Sequence, residues 1–243
     1  MDLGLRGKKA IVCASSRGLG RACASALAEA GVAVTINGRD RHKLDETAAE
    51  IVRATGAHVT AVAADVSTRE GQDRLLAACP QPDILVNNNG GPPFRDFRAV
   101  DRDALFAGVV MNMATPIELV QRTVHGMIER GFGRIVNITA IAVKLPVPGY
   151  ELSSGARGGL TAFLAGVART VAPHGVTINN IMPGYFETDR VRKVFEATAK
   201  AGGRPTDEVV AECAACAFLC SRQAGYITGQ NLLIDGGRYA SAF

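Results

Sequence analysis

The 243-residue chain contains no tryptophan, and phenylalanine and tyrosine together bring its aromatic share to only 5%. With few flat side chains for bases to stack on, and with no lysine- or arginine-dense run, the sequence lacks the makings of a nucleic-acid surface. The net charge of +4 is mild: it accommodates an anionic ligand without requiring a polyanion. There is no run of about 18 consecutive apolar residues, so no membrane span is expected. The N-terminal MDLGLRGKKAIVCASS carries only a short apolar run that leads into a glycine loop, which reads as a first strand and not as a targeting segment. The expected location is the cytoplasm. The chain has six cysteines, and without a secretion signal a disulfide framework is not expected. Cys213, Cys216 and Cys220 share one face of a helix, but a metal site would want a fourth ligand nearby, so they read as small buried apolar side chains and no metal is expected.

What the chain does contain is a regular alternation. Apolar residues make up 47% and charged residues 21%, a globular profile long enough for a sizeable core. Strand patterns at 9–14, 32–38, 58–65, 83–88, 134–139, 176–184 and 231–237 alternate with helical patterns at 21–30, 41–55, 68–79, 101–130 and 150–172. Repeated strand–helix units imply an α/β fold with a Rossmann-like, doubly wound, seven-stranded parallel sheet. No repeat, low-complexity tract or linker interrupts it, so residues 1–243 read as a single domain.

The first strand runs into CASSRGLGRA, where Gly18 and Gly20 open the first helix. A turn of this kind presents backbone N–H groups at a helix N-terminus, where a pyrophosphate can sit. The second strand ends in Asn37, Gly38 and Arg39 instead of an acidic residue, and Arg17 stands just before the glycine turn. Two guanidinium groups there favour a 2′-phosphate, hence NADP(H) over NAD(H).

Together with NNNG (87–90), Asn112 in VMNMATP, Pro183–Gly184 and ITGQNLLIDGG (227–237), this turn resembles the short-chain dehydrogenase/reductase family nearly from end to end, including its carrier-protein-linked ketoacyl reductases. The resemblance assigns cofactor contacts to Ala14, Ser16, Arg17, Gly18, Leu19 and Gly20, to Asn37 and Arg39, to Asp65 and Val66 beside the adenine, to Asn88, Asn89 and Gly90, and to Pro183 and Gly184. Ala14 stands where the family has glycine, a small loss if the backbone there is not left-handed.

The catalytic half departs from the pattern, which requires a tyrosine, a lysine one helical turn later, and a serine after the fifth strand. The chain reads GYELSSGARGGL over 149–160. One register places Ser153 and Arg157 at the tyrosine and lysine positions and Ala140 at the serine. The other makes Tyr150 the acid, with Ser154 at the lysine position and Arg157 reaching in from further along. The first needs no gap and is favoured. Candidate catalytic residues are therefore Asn112, Tyr150, Ser153 and Arg157, with Thr139 as a replacement for the missing serine, although strand alternation argues against it. Substrate loops are expected near 90–98, in GGPPFRDF, and over 184–206, where the stretch is either short or incomplete.

The resemblance implies an NADP(H)-dependent oxidoreductase that interconverts a small-molecule carbonyl and a secondary alcohol with an altered site, assembled as a homotetramer or homodimer, without nucleic-acid or membrane partners. The alternative is a dinucleotide-binding sensor or scaffold with little redox activity.

Overall fold

The computed structural model describes residues 2–145, 147–184, 207–237 and 239. All seven strands are parallel and lie in the order β3-β2-β1-β4-β5-β6-β7, with β1 spanning Lys9–Val12, β2 Ala33–Gly38, β3 Val59–Ala63, β4 Ile84–Asn87, β5 Gly133–Ile138, β6 Val176–Pro183 and β7 Asn231–Ile234. The direction of winding reverses between β1 and β4, the switch point at which doubly wound sheets open a crevice for a ligand. The expected fold class and all seven strands are present.

Side-chain alternation distributes the core. Ala10, Val12, Val34 and Ile36 face α1 (Gly18–Glu29), α2 (Arg41–Thr55) and α7 (Asp207–Cys220), meeting Leu27, Leu44 and Leu219. Ile11, Leu85, Ile135 and Ile178 face the other way, toward α3 (Arg69–Ala78), α5 (Thr115–Glu129) and α6 (Glu151–Val171), meeting Leu75, Leu119 and Leu164. Both faces are covered, so the strands are apolar on both sides and not alternately polar. Each buried leucine of this kind contributes about 1.5–3 kcal/mol relative to exposure.

Helix ends follow their local chemistry. Asp40, Thr68 and Asp101 each accept a hydrogen bond from a backbone N–H in the first turn of the helix that follows, and Gly56 closes α2 at φ 69°. The helix expected over 101–130 comprises α4 (Arg102–Val109), a π-helical turn over Val110–Ala114, and α5. By length and composition alone, the stretch Arg102–Glu129 is long and apolar enough to cross a bilayer. Its Leu119, Val120 and Met127 are buried in the core against the sheet.

Cys213, Cys216 and Cys220 are buried as expected, with Cys213 and Cys216 against Cys23 of α1. All six cysteines are free thiols, and burial pushes Cys13 up to about 12. Such thiols behave as apolar packing groups.

One device escaped the sequence reading. Across four adjacent strands, Asn87 donates to Asn137 (2.9 Å), Asn137 to Asn180 (2.9 Å) and Asn180 to Asn231 (2.8 Å). Strand register places these four residues directly opposite one another, from the end of β4 to the start of β7. The ladder ties β4, β5, β6 and β7 together through their side chains.

Candidate active site

Three loops converge on the crevice. The turn after β1 carries the glycines. Gly18 adopts φ 58°, and a Cβ on Gly20 would sit 2.5 Å from the Ala14 carbonyl and 2.6 Å from the Asn88 amide nitrogen, so only glycine allows this close approach. Ala14 itself adopts φ 44°, the one non-glycine residue with positive φ among the described residues. The condition for a harmless alanine is not met: a left-handed alanine costs about 1–2 kcal/mol. Gly18 and Arg17 are exposed at the start of α1, while Leu19 packs partly against the core.

The second strand ends as expected in part. Arg39 is exposed, its only ion pair among the described residues a loose 4.0 Å contact with Asp65, which is worth little at the surface. The guanidinium is thus available to an anionic ligand. Asp65 accepts hydrogen bonds from the Ser67 hydroxyl and amide, which together with Arg39 hold its carboxyl below the usual range. Val66 is buried in the core behind it.

Asn37 must be corrected. Its amide donates to the carbonyls of Val62 and Ala64, and its oxygen accepts from Ala14 N–H. Its side chain is buried and joins β2 to the β1 turn and to β3, so it does not face a ribose. Ser16 lies against Gly38, with its carbonyl held by Thr47.

Hydrogen bonds on the adjacent residues Asn88 and Asn89 link the glycine turn to the catalytic candidates. Asn88 donates to the Ala14 carbonyl (3.1 Å), and Asn89 donates to the Met111 carbonyl in the π-helical turn (2.6 Å). The Asn89 carbonyl accepts from Arg157 Nη2 (3.2 Å). Arg157 Nη1 binds the Ile138 carbonyl at the end of β5 (2.6 Å), and its Nε binds Ser153 Oγ (3.2 Å). Arg157 is 8% exposed and Ser153 5%. Gly90 is open, with nothing within 4 Å of an added Cβ. Pro183 ends β6, and Gly184 N–H is bonded to the Ile234 carbonyl.

Arg157 bonds to Ser153, one turn before it, and among the described residues makes no hydrogen bond with Tyr150. Tyr150 is half-buried at the start of α6, its ring edge-on to Phe94 at 5.5 Å. Gly149 at φ 83° allows this packing, since a Cβ there would lie 2.2 Å from the Phe94 ring. The Arg95 amide donates to the Gly149 carbonyl, so the expected 90–98 loop does border the site. The 184–206 loop lies, beyond Gly184, outside the described residues.

Thr139 is withdrawn as a polarising group. Its hydroxyl donates to the Ile181 carbonyl (3.0 Å), and a hydroxyl that polarises a substrate oxygen must donate its proton to that oxygen. Asn112 sits in the π-helical turn, 1% exposed, and neither of its amide atoms has a partner among the described residues. A separate cavity of about 280 Å³ on another side of α6, lined by Phe97, Leu105, Met113 and Leu152, includes none of Tyr150, Ser153 and Arg157.

The crevice fits a dinucleotide. The close glycine approach at Gly20, the open backbone at Gly18 and Gly90, and an exposed, loosely paired guanidinium at Arg39 are the features such a ligand needs.

Comparison with known proteins accords with this geometry. Residues 13–238 match the family described as enoyl-(acyl carrier protein) reductase. An uncharacterized oxidoreductase of Bacillus subtilis is 32% identical over 266 aligned residues, covering 100% of both chains. That alignment is longer than this chain, so the relative carries residues that this chain lacks. A 3-oxoacyl-[acyl-carrier-protein] reductase of Aquifex aeolicus is 29% identical over 98% of this chain and 100% of its own. Among solved structures, L-sorbose reductase from Gluconobacter frateurii, complexed with NADPH and L-sorbose, superposes with a TM-score of 0.88 at 26% identity, covering 99% of this chain and 100% of that one.

Proposed function

The chain belongs to the short-chain dehydrogenase/reductase family, and from that premise we propose that it is an NADP(H)-dependent oxidoreductase interconverting a carbonyl and a secondary alcohol through an altered reaction centre. The observation that carries this reading is the set of hydrogen bonds that tie the adjacent residues Asn88 and Asn89 to the glycine turn on one side and, through Arg157, to Ser153 on the other. It joins an intact cofactor crevice to a buried cation and a hydroxyl, in the positions that the family gives to its lysine and tyrosine.

Gly18, Gly20, Asn88 and Gly90 would hold the pyrophosphate and nicotinamide side, and Arg17 and Arg39 the 2′-phosphate. When bound, the nicotinamide supplies or accepts hydride. The protein's own part is to hold the ring's ribose near Arg157 and the substrate oxygen near Ser153. Arg157 keeps its proton at any working pH, so it serves as a fixed charge and not as a link in a proton relay. Tyr150 stands at the rim, packed on Phe94, as a wall for the substrate.

The cofactor preference of relatives supports NADP(H): the sorbose reductase was solved with NADPH. Titrating the protein with NADPH and NADH while following thermal stability tests this half, because a ligand selective for the native state raises it. NADPH should stabilise at lower concentration than NADH. Absorbance of the reduced cofactor with a broad carbonyl panel tests the other half. Tight binding with no turnover on any member would favour the sensor or scaffold reading.

A further inference from the structure

We propose that Asn89 is a positioning residue: its side chain is the strut through which the loop over residues 88–90 sets the π-helical turn and, with it, the amide of Asn112. This rests on the oxidoreductase reading above, in which that loop lies on the nicotinamide side of the cofactor. The need for a strut begins at Pro116. Proline has no N–H, and its ring crowds the carbonyl four residues earlier, here that of Asn112. The α-helical register is not carried through this point. The helix widens into the π-helical turn Val110–Ala114, where Thr115 N–H reaches back five residues to the Val110 carbonyl. The Thr115 hydroxyl donates to the same carbonyl at 2.8 Å. The Met111 carbonyl is thereby passed over, because Thr115 N–H goes to Val110 and Pro116 has none to give. Asn89 Nδ2 supplies the missing donor at 2.6 Å, from a loop 22 residues earlier in the chain.

The backbone of Asn89 is held as well. Its carbonyl accepts from Arg157 Nη2 at 3.2 Å, and the preceding Asn88 donates to the Ala14 carbonyl of the glycine turn at 3.1 Å. Asn89 therefore stands where the cofactor loop, the π-helical turn and α6 meet. Asn112 follows Met111 directly. It is 1% exposed, and neither of its amide atoms has a partner among the described residues. Buried amides are as a rule paired, so this one is suited to a group that arrives with the cofactor, the substrate or an ordered water. The π-helical turn decides where that amide lies, and Asn89 ties the turn to the loop that meets the cofactor. Loss of the strut should leave the fold intact, since the Thr115 hydroxyl still holds the turn and Leu119 and Val120 still anchor α5 in the core. What it should change is the placement of Asn112, and a shift of about 1 Å in a reacting geometry costs as much as 100-fold in rate.

The test has an exchange arm and a turnover arm, both on the full chain. In the first, hydrogen–deuterium exchange is followed by mass spectrometry with and without NADPH. In the native protein NADPH should protect both the 88–90 loop and the π-helical turn, beyond any general stabilisation read from the β5 amides. In Asn89→Ala the loop should keep its protection and the turn should lose it. Asn89→Asp has nearly the same shape, but an ionised carboxylate only accepts hydrogen bonds. That variant should behave like Asn89→Ala at alkaline pH and regain protection of the turn as falling pH protonates the carboxyl and restores a donor. In the second arm, kcat is measured on the carbonyl of the panel that the native protein reduces fastest. Asn89→Ala should lower kcat by about tenfold or more with the KM for NADPH unchanged. Because Asn89 acts through Asn112, the double variant with Asn112→Ala should be no slower than Asn112→Ala alone. Native protein that binds NADPH without protecting the turn, protection that survives in Asn89→Ala, no recovery of Asn89→Asp with falling pH, or losses that multiply in the double variant overturn the proposal while the oxidoreductase reading stands. Loss of NADPH binding in Asn89→Ala makes the residue a cofactor contact and overturns it too. Native protein that binds no NADPH defeats the cofactor reading and this proposal with it.

Discussion

The cofactor end of the crevice is made mostly of backbone, whereas the reaction end is made of side chains. At the first, the working features are the turn over residues 14–20, the open backbone at Gly18 and Gly90, and the close approach at Gly20. That shape survives a replacement as unfavourable as alanine at a left-handed position. At the second, chemistry depends on the identity of a few groups at positions 140, 150, 153 and 157. Arg157 there is a fixed fork that binds Ser153, Ile138 and Asn89 at once. A binding half made of backbone tolerates a change of side chain that a half made of side chains does not.

That contrast breaks most readily at the fork itself. Arg157→Met should leave the Ile138 and Asn89 carbonyls without their donor, lowering stability by about 3 kcal/mol in urea unfolding. The native fold and the glycine turn should survive, so NADPH should still raise the melting temperature of the variant. Between the two ends runs the asparagine ladder. Asn137→Ala removes a partner from both Asn87 and Asn180 and should cost about 2 kcal/mol by the same measurement, without changing the preference for NADPH over NADH.

At the cofactor end the expected effects are smaller and more selective. Arg39→Ala should weaken NADPH binding about tenfold in calorimetry, the worth of one charge-assisted hydrogen bond, and leave NADH unchanged. Equal losses for both cofactors would remove Arg39 from the 2′-phosphate. Ala14→Gly should be the gentlest change: relief of the left-handed alanine should add about 1 kcal/mol and raise the melting temperature by about 2–4 °C, with cofactor affinity kept.

The sequence made the sheet and most of the cofactor end readable, because strand alternation and glycine placement are local signals. Helix 101–130 read as continuous, since a π-helical turn at Val110–Ala114 leaves little mark on periodicity. Asn37 looked like a ribose contact because its position matched, but its amide has nearer partners in Val62 and Ala64 across the sheet. The ladder of Asn87, Asn137, Asn180 and Asn231 depends on strand register, which no single strand reveals, although an asparagine in each of four strands was a usable hint. Spacing alone left Tyr150 and Ser153 both open. In three dimensions Arg157 is bonded to Ser153, a contact that spacing does not reveal.

The most direct test is a crystal structure with NADP⁺ and a substrate analogue bearing an oxygen at the reacting carbon. The account predicts Ser153 Oγ within about 3.5 Å of that oxygen, Arg157 still bonded to Ser153 beneath it, and Tyr150 on Phe94 at the rim. A Tyr150 hydroxyl at that distance from the oxygen, with Ser153 facing away, would contradict it.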